Sequence, residues 1–311
     1  MLPVCGRVVF SSSEDLTRAT RAKVVEGENG FVSWVKAAAE SLLATLFPSD
    51  CRLCGSPLAR ISRLPVCEDC LFRVRPLQGG GTCAICGERL TGSANVMDQG
   101  EPGCALCRQV EPSFAKAAAY GSYEGGLRDL IHLLKYEHVR PAAGVLGRML
   151  AEVVEKLAAA FAKGDPVLVP IPLHASKQRQ RGFSQSELIA RAALKLKPVG
   201  REWLLRPEIL ERCRPTASQI GLTPHQQREN VRGAFAVRRA AEVENREVLL
   251  VDDVLTTGTT ASECARVLRR AGATRVWVAT VARTMKAEAT CALIKQDSDE
   301  MEERMAMAAN G

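Results

Sequence analysis

The chain has 311 residues, 46% hydrophobic and 25% charged, with a formal net charge of +7. That composition is ordinary for a globular protein, its length has a prior of two domains, and no apolar run approaches the about 18 residues that cross a bilayer. The basic excess is concentrated in residues 201–239, where eight Arg face four Glu; this fits an anionic partner, a phosphorylated metabolite as readily as DNA.

Residues 1–30 are basic and serine-containing and lack the apolar core of a secretory signal. They read as a disordered extension of a cytoplasmic protein, with a transit peptide as the alternative. Residues 31–47, FVSWVKAAAESLLATLF, form an amphipathic pattern that predicts one helix ending at Pro48.

Eight of the twelve cysteines follow, all as C-x-x-C pairs: Cys51/Cys54, Cys67/Cys70, Cys83/Cys86 and Cys104/Cys107. C-x-x-C lets two thiolates of one tight turn reach the same tetrahedral ion, so two pairs complete a closed site. The spacing predicts two structural zinc sites. A disulfide framework would need an oxidising compartment that no secretory signal supports. Four redox-active pairs in one short stretch are excessive, and an iron–sulfur cluster is a third option. CRLCG at 51–55 and CAICG at 83–87 look like an internal repeat, which suggests sequential ribbons at 51–70 and 83–107; interleaved pairing is the alternative. Cys264 fits the apolar face of a helix, whereas Cys5, Cys213 and Cys291 have no sequence partner.

After Cys107 the texture changes. A strand is predicted at 115–123, then a helix at 124–138 with Leu127, Leu130, Ile131 and Leu134 on one face. Pro141 opens a second helix, with Val145, Met149, Val153 and Leu157 inward, broken by Gly164-Asp165-Pro166. The apolar strand 167–171 leads into a basic loop and a helix at 184–196; a loop-rich basic segment spans 211–233. The strand 248–251, the helix 258–271, the cap Gly272 and the strand 276–281 complete the series. Strands alternating with helices imply an α/β fold with a parallel sheet. The tail after 284 reads as a solvated or helical surface segment.

The densest motif is VLLVDDVLTTGTT at 248–260. A buried strand delivers Asp252 and Asp253 to its carboxyl edge, where open α/β sheets bind ligands. The loop Thr256-Thr257-Gly258-Thr259-Thr260 then opens a helix; its N–H groups, hydroxyls and positive helix end suit a phosphate monoester. Carboxylates beside such a cradle make sense for a ligand that also presents ribose hydroxyls or a hydrated Mg²⁺. A P-loop reading fails, because the chain has no G-x-x-x-x-G-K-[ST].

This motif resembles the signature of type I phosphoribosyltransferases for 5-phosphoribosyl-1-pyrophosphate (PRPP). The resemblance implies that Asp252 and Asp253 hold the ribose hydroxyls and Thr256–Thr260 the 5′-phosphate, with Mg²⁺ bound alongside PRPP. Purine-salvage members usually place an Asp where this chain has Thr256, so purine salvage is disfavoured. Further stretches match the ComF family of competence-associated phosphoribosyltransferase-like proteins: LLATLFPSDCRLCG ahead of the ribbons, YEGGLRDLIHLLKY at 123–136, VPIPLHASKQRQRGFSQSELIA at 169–190 and RPTASQIGLTPHQQRENVRGAF at 214–235. Together they cover about residues 40–284.

The third stretch follows a strand end, where the resemblance puts the pyrophosphate loop. Lys177, Arg179 and Arg181 crowd an anion-binding position there, and Arg grips phosphate oxygens bidentately. The fourth would be a mobile loop, with Gln219, Arg228 and Asn230 on the family pattern. His174, Lys135 and Tyr136 match too, although a surface lysine and a structural histidine are the commoner explanations. Ser184 departs from the family, which often has Asn there.

The expected architecture is therefore an extension at 1–30, a helix plus double zinc ribbon at 31–110, a phosphoribosyltransferase-like domain at 111–285 and a tail at 286–311. Three functions stay open. One is an enzyme that transfers the phosphoribosyl group of Mg²⁺–PRPP with release of pyrophosphate. The second is a non-catalytic PRPP or nucleotide sensor. The third is an adaptor for single-stranded DNA or a DNA-uptake protein, binding through the ribbons. Phe72 is the one aromatic residue in 51–107, which weakens base stacking as the ribbon's binding mode.

Overall fold

The structure is a computed structural model and describes residues 49–58, 62–77, 81–90, 101–161, 166–196, 202–217 and 221–285. The expected helix at 31–47, the extension, the tail, Cys5, Cys291 and Gln219 lie outside the described residues. The chain divides into two compact units, Met1–Cys67 and Glu68–Gly311.

The internal repeat read from CRLCG and CAICG is a structural one. In the smaller unit the amide of Cys51 bonds Ser56 O, and that of Gly55 bonds Cys51 O, both at 2.8 Å. In the larger unit Cys83 bonds Glu88 O at 2.7 Å and Gly87 bonds Cys83 O at 2.9 Å. Each turn closes with one antiparallel bridge, Asp50 to Pro57 and Thr82 to Arg89. Both turns end on a glycine with positive φ, Gly55 at 73° and Gly87 at 71°, a conformation other residues adopt at a cost.

The larger unit opens with two short helices, α1 (Glu68–Arg73) and α2 (Ala105–Gln109). The alternation that follows builds the sheet: β1 (Lys116–Ser122), α3 (Gly125–Lys135), α4 (Ala142–Ala158), β2 (Val167–Pro170), α5 (Ala175–Arg181), α6 (Gln185–Leu194) and β3 (Leu204–Leu205). Then come β4 (Leu210–Arg212), α7 (Pro224–Val231), β5 (Phe235–Val237), β6 (Glu247–Leu255), α8 (Thr259–Arg270) and β7 (Arg275–Arg283). Five strands form one parallel sheet in the order β1-β7-β6-β2-β3, and β4 pairs antiparallel with β5 in a separate hairpin.

The continuous apolar run Val248–Val251 is fully buried, as a central parallel strand requires. Helix α4 buries the expected Val145, Met149, Val153 and Leu157. The chain runs outward from β2 to β3 in one direction and from β6 to β7 in the other. The order therefore reverses between β2 and β6, and that switch point is where an open sheet leaves a crevice for ligands.

Two segments expected as loops carry helices. Lys177, Arg179 and Arg181 sit on α5, whose amino end is capped by His174: its Nδ1 accepts the Ser176 amide at 3.3 Å. His174 thus has a structural role in the described geometry. Within 211–233, α7 is nucleated by Thr223, whose hydroxyl and backbone close a capping box with Gln226, and by Pro224 in the first turn. Both helices have polar sequences without an apolar stripe, so hydrophobic periodicity could not reveal them, whereas T-P-x-Q is a start signal legible in hindsight.

Candidate functional site

Strand β6 runs past its expected end, so that Asp252 and Asp253 lie within the sheet rather than beyond it. Their side chains point to opposite sides of the strand, as period two demands, and they meet different partners. Asp253 is buried and receives Lys135 Nζ at 2.9 Å; the two side chains are 6% and 10% exposed. Lys135 is therefore no surface lysine. It closes α3, and apolar residues of that helix draw it inward. Burial works against its ammonium, but Asp253, with Tyr123 and Tyr136, outweighs this and holds its pKa above the ordinary value.

Asp252 accepts hydrogen bonds at one oxygen, from the Ser186 hydroxyl at 2.8 Å and the Asp253 amide at 3.0 Å. Burial, and then the neighbouring Asp253 carboxylate, push its pKa up to about 7, with Ser186 and Lys135 opposing. Ser186 is positioned by α6, whose amino end Ser184 caps by accepting the Glu187 amide at 3.4 Å. The departure at Ser184 thus preserves the cap. Arg212 of β4 lies within electrostatic reach of Asp252, and burial lowers its pKa.

The loop after β6 turns at Gly258, where φ is 77°. A Cβ there would lie 3.6 Å from the Phe114 ring, an ordinary contact, so it is the positive φ and not lack of space that calls for glycine. Thr257 and Thr259 share a hydrogen bond at 2.8 Å, and Thr259 and Thr260 begin α8. The hydroxyl-bearing loop at the amino end of a twelve-residue helix has the form of an anion cradle. Thr256, Thr257 and Thr260 are half-buried, open enough for a ligand to reach.

The described part of the 214–235 stretch reaches this loop. Gln227 of α7 is buried and accepts the Thr257 hydroxyl at 2.9 Å. Asn230 clamps Ala217 at both its amide and its carbonyl, at 3.1 and 2.8 Å. Arg228 lines a cavity of about 520 Å³, shared with Thr257, Thr259, Phe114, Leu106 and Val110. Gln227 and Ser186 were not singled out from sequence; both are polar residues on helices, with no spacing to mark them.

On the β2 side of the switch point, Arg181 stacks 5.6 Å over the Tyr136 ring and donates to Gln185 at 3.0 Å. Arg140 packs 5.1 Å over Phe183 and approaches Gly182, the left-handed cap of α5. On a helix, Lys177 and Arg181 share one face, one turn apart, while Arg179 projects from roughly the opposite side. The three cations therefore do not converge on one point.

The eight cysteines form two groups of four, Cys51, Cys54, Cys67 and Cys70, and Cys83, Cys86, Cys104 and Cys107, each with its thiols within 4.8 Å of one another. The pairing is sequential. Cys54 and Cys67 are 3.7 Å apart at sulfur, and Cys86 and Cys104 3.6 Å. A zinc–sulfur bond of about 2.3 Å in a tetrahedron sets the edge at about 3.8 Å, whereas a disulfide needs about 2.0 Å. The spacing fits a closed metal site. Backbone amides support it, Cys67 donating to Cys51 at 3.3 Å and Cys107 to Cys104 at 3.4 Å.

No helix among the described residues is long and apolar enough to cross a membrane. Residues 211–299 match the phosphoribosyl transferase domain family. The chain is 32% identical over 243 residues to DNA utilization protein YhgH of Salmonella typhi, covering 76% of this chain and 98% of that protein. It is 28% identical over 228 residues to Competence protein F of Haemophilus influenzae, covering 72% and 92%. Among solved structures, the allosteric regulatory enzyme of purine biosynthesis aligns with 46% of this chain and 26% of its own, at 24% identity and a TM-score of 0.27. A relative matched over nearly its whole length, a phosphoribosyl transferase match and two four-cysteine groups agree: the chain belongs to the ComF family, with a type I phosphoribosyltransferase-like domain behind a double zinc-ribbon module.

Proposed function

We propose that this chain binds PRPP with Mg²⁺ at the switch point between β2 and β6 and transfers its phosphoribosyl group with release of pyrophosphate. The observation that carries the reading is the pair Asp252–Asp253 beside the threonine loop. One acid is neutralised by Lys135; the other has no ion-pair partner among the described residues and sits at a carboxyl value near neutrality. A ribose diol donating to Asp252 would supply what its second oxygen lacks. The 5′-phosphate would sit on Thr256, Thr257, Gly258, Thr259 and Thr260, where hydroxyls and the α8 amino end supply donors.

The adjacent carboxylates also fit a hydrated divalent ion, an oxygen-rich and net negative donor set. When bound, Mg²⁺ supplies charge neutralisation for the pyrophosphate. Of the chain's own cations, Lys177 and Arg181 on one face of α5, with Arg140, would bind and orient that group and stabilise its growing charge, while Arg179 on the other face would add to the local positive field. The bond from ribose C1 to pyrophosphate breaks, and the acceptor's nucleophile forms the new bond at C1. Helix α7, which carries Arg228 and Asn230, would close over this centre together with the sequence around Gln219 and exclude water.

The names of the relatives, DNA utilization protein and Competence protein F, support a role in the use of incoming DNA, with the ribbons as the contact for DNA or an uptake partner. Calorimetry with Mg²⁺–PRPP and with ribose 5-phosphate tests the site. The variant K177A/R179A/R181A is expected to lose PRPP affinity far more than ribose 5-phosphate affinity; equal losses would remove the pyrophosphate assignment. Pyrophosphate release on incubation of PRPP with candidate acceptors tests turnover; binding without release under all acceptors would leave a PRPP sensor.

A further inference from the structure

The second four-cysteine group differs from the first in how it is held. Cys83, Cys86, Cys104 and Cys107 are each under 7% exposed and belong to one apolar cluster with Phe114, Leu255, Ala261 and Cys264. The ribbon is thus part of the same core as the strand and helix on either side of the phosphate loop.

Two physical links join the group to that loop. The first is Arg283, the last residue of β7 and 3% exposed. Its Nη2 donates to Cys86 Sγ at 3.4 Å and to Glu88 at 2.8 Å. Its Nε and Nη1 are buried with no hydrogen-bond partner among the described residues. Glu88 pairs the guanidinium at 2.8 Å, and four thiolates around a dication would leave the centre net negative, so the bond from the same guanidinium to Cys86 is charge-assisted as well. The backbone around Arg283 then grips both neighbouring strands. The Tyr123 amide donates to Arg283 O at 2.8 Å, and the Thr284 amide to Leu255 O at 3.0 Å. Leu255 pairs in register with Arg283 and directly precedes Thr256.

The second link is the segment after α2. Its Ser113 amide donates to the Ser262 hydroxyl of α8 at 3.0 Å, and Phe114 lies in one buried cluster with Leu255 and Ala261, on either side of the loop. Ile85, between two ligands, also accepts the Ala117 amide of β1 at 2.6 Å. The loop is therefore braced from below by Arg283 and from the side by Ser113 and Phe114, and both braces are anchored in the cysteine group.

We propose that the second four-cysteine centre, loaded with its metal, holds the phosphate loop in shape, with Arg283 as the positioning residue between them. Loss of that metal loosens residues 254–262 and with them the anion cradle. The cradle's role as a PRPP site rests on the function proposed above; the mechanical coupling does not.

Hydrogen exchange on the whole chain, with metal content measured in parallel, tests this. Cys107→Ser is expected to bind one metal equivalent fewer and to exchange amides of 254–262 at least about tenfold faster, with strands β2 and β3 unaffected. Arg283→Gln is expected to keep both metals yet show the same local loss, and Arg283→Lys, which retains the charge, to restore part of it. Titration with Mg²⁺–PRPP should show a matching loss of affinity in the first two variants. Should Cys107→Ser fail to fold, Arg283→Gln decides alone. Unchanged exchange at 254–262 in a variant that has lost the metal, or in Arg283→Gln, overturns the coupling. Failure of the unmodified protein to bind PRPP overturns the proposed function instead, and leaves the exchange result valid.

Discussion

Asp252→Asn separates what the fold wants from what the ligand wants. The Asp252 carboxyl is held near 7 against an ordinary 3.8, first by burial and then by Asp253. A raised folded value means that the native state binds the extra proton, so the stability associated with Asp252 is fully present below about 3.8 and is lost as pH climbs through about 7. At about 1.4 kcal/mol for each tenfold change in proton affinity, the ceiling on that loss is about 4 kcal/mol. Asp252 retains partial solvent access, which lowers the realised figure to about 1–3 kcal/mol. Asparagine keeps a carbonyl oxygen for both donors now on Oδ1, the Ser186 hydroxyl and the Asp253 amide, so no hydrogen bond is forfeited. Denaturant unfolding at fixed zinc should therefore find Asp252→Asn more stable by about 1–3 kcal/mol at pH 8, with the gain shrinking at pH 5.5. The same variant should bind Mg²⁺–PRPP more weakly, and affinity of the unmodified protein should rise between pH 6 and 8. A variant less stable at pH 8, or a difference independent of pH, would refute the reasoning.

Lys135→Met should destabilise the protein by about 3–5 kcal/mol, because it strands Asp253 as a buried unpaired charge; adding Asp253→Asn should recover most of the loss in thermal or denaturant unfolding. Arg179→Ala should weaken Mg²⁺–PRPP binding less than Arg181→Ala in calorimetry, since Arg181 sits against Tyr136 while Arg179 leaves the opposite side of α5. Metal analysis should return about two zinc ions per chain, and chelation should abolish the near-ultraviolet and exchange signatures of 62–77 and 101–109, as closed four-cysteine sites couple metal to folding. Iron, or a folded metal-free chain, would reject the zinc assignment.

Much of this was legible in the residues. VLLVDD announces a central parallel strand because four apolar residues without a turn former are followed by two acids, and TTGTT announces a loop entering a helix. C-x-x-C is local chemistry, so the metal groups follow from spacing alone; the choice between sequential and interleaved pairing needs three dimensions, although the repeated CxxCG hinted at it. What stayed hidden depends on contacts far apart in sequence. Lys135 lies 118 positions from Asp253, and nothing local to it distinguishes a buried cation from a surface one. Ser186 and Gln227 are ordinary helix residues until β6 and its loop arrive. Arg283 ends a strand whose apolar run predicts no charge inside the core, and its partners Cys86 and Glu88 come from the ribbon. The sequence at 177–181 resembles a loop because its composition is polar throughout; His174 and Gly182 mark its two ends as caps.

The central claim is that Asp252 and Asp253, with the loop 256–260, bind a phosphoribosyl ligand. It is tested most directly by titrating Mg²⁺–PRPP calorimetrically into the unmodified chain and into the Asp252→Asn/Asp253→Asn double variant, with circular dichroism confirming that both are folded. The account predicts saturable binding by the first and a loss of at least about tenfold, some 1.4 kcal/mol or more, in the second. Equal affinity in the two folded proteins would contradict it.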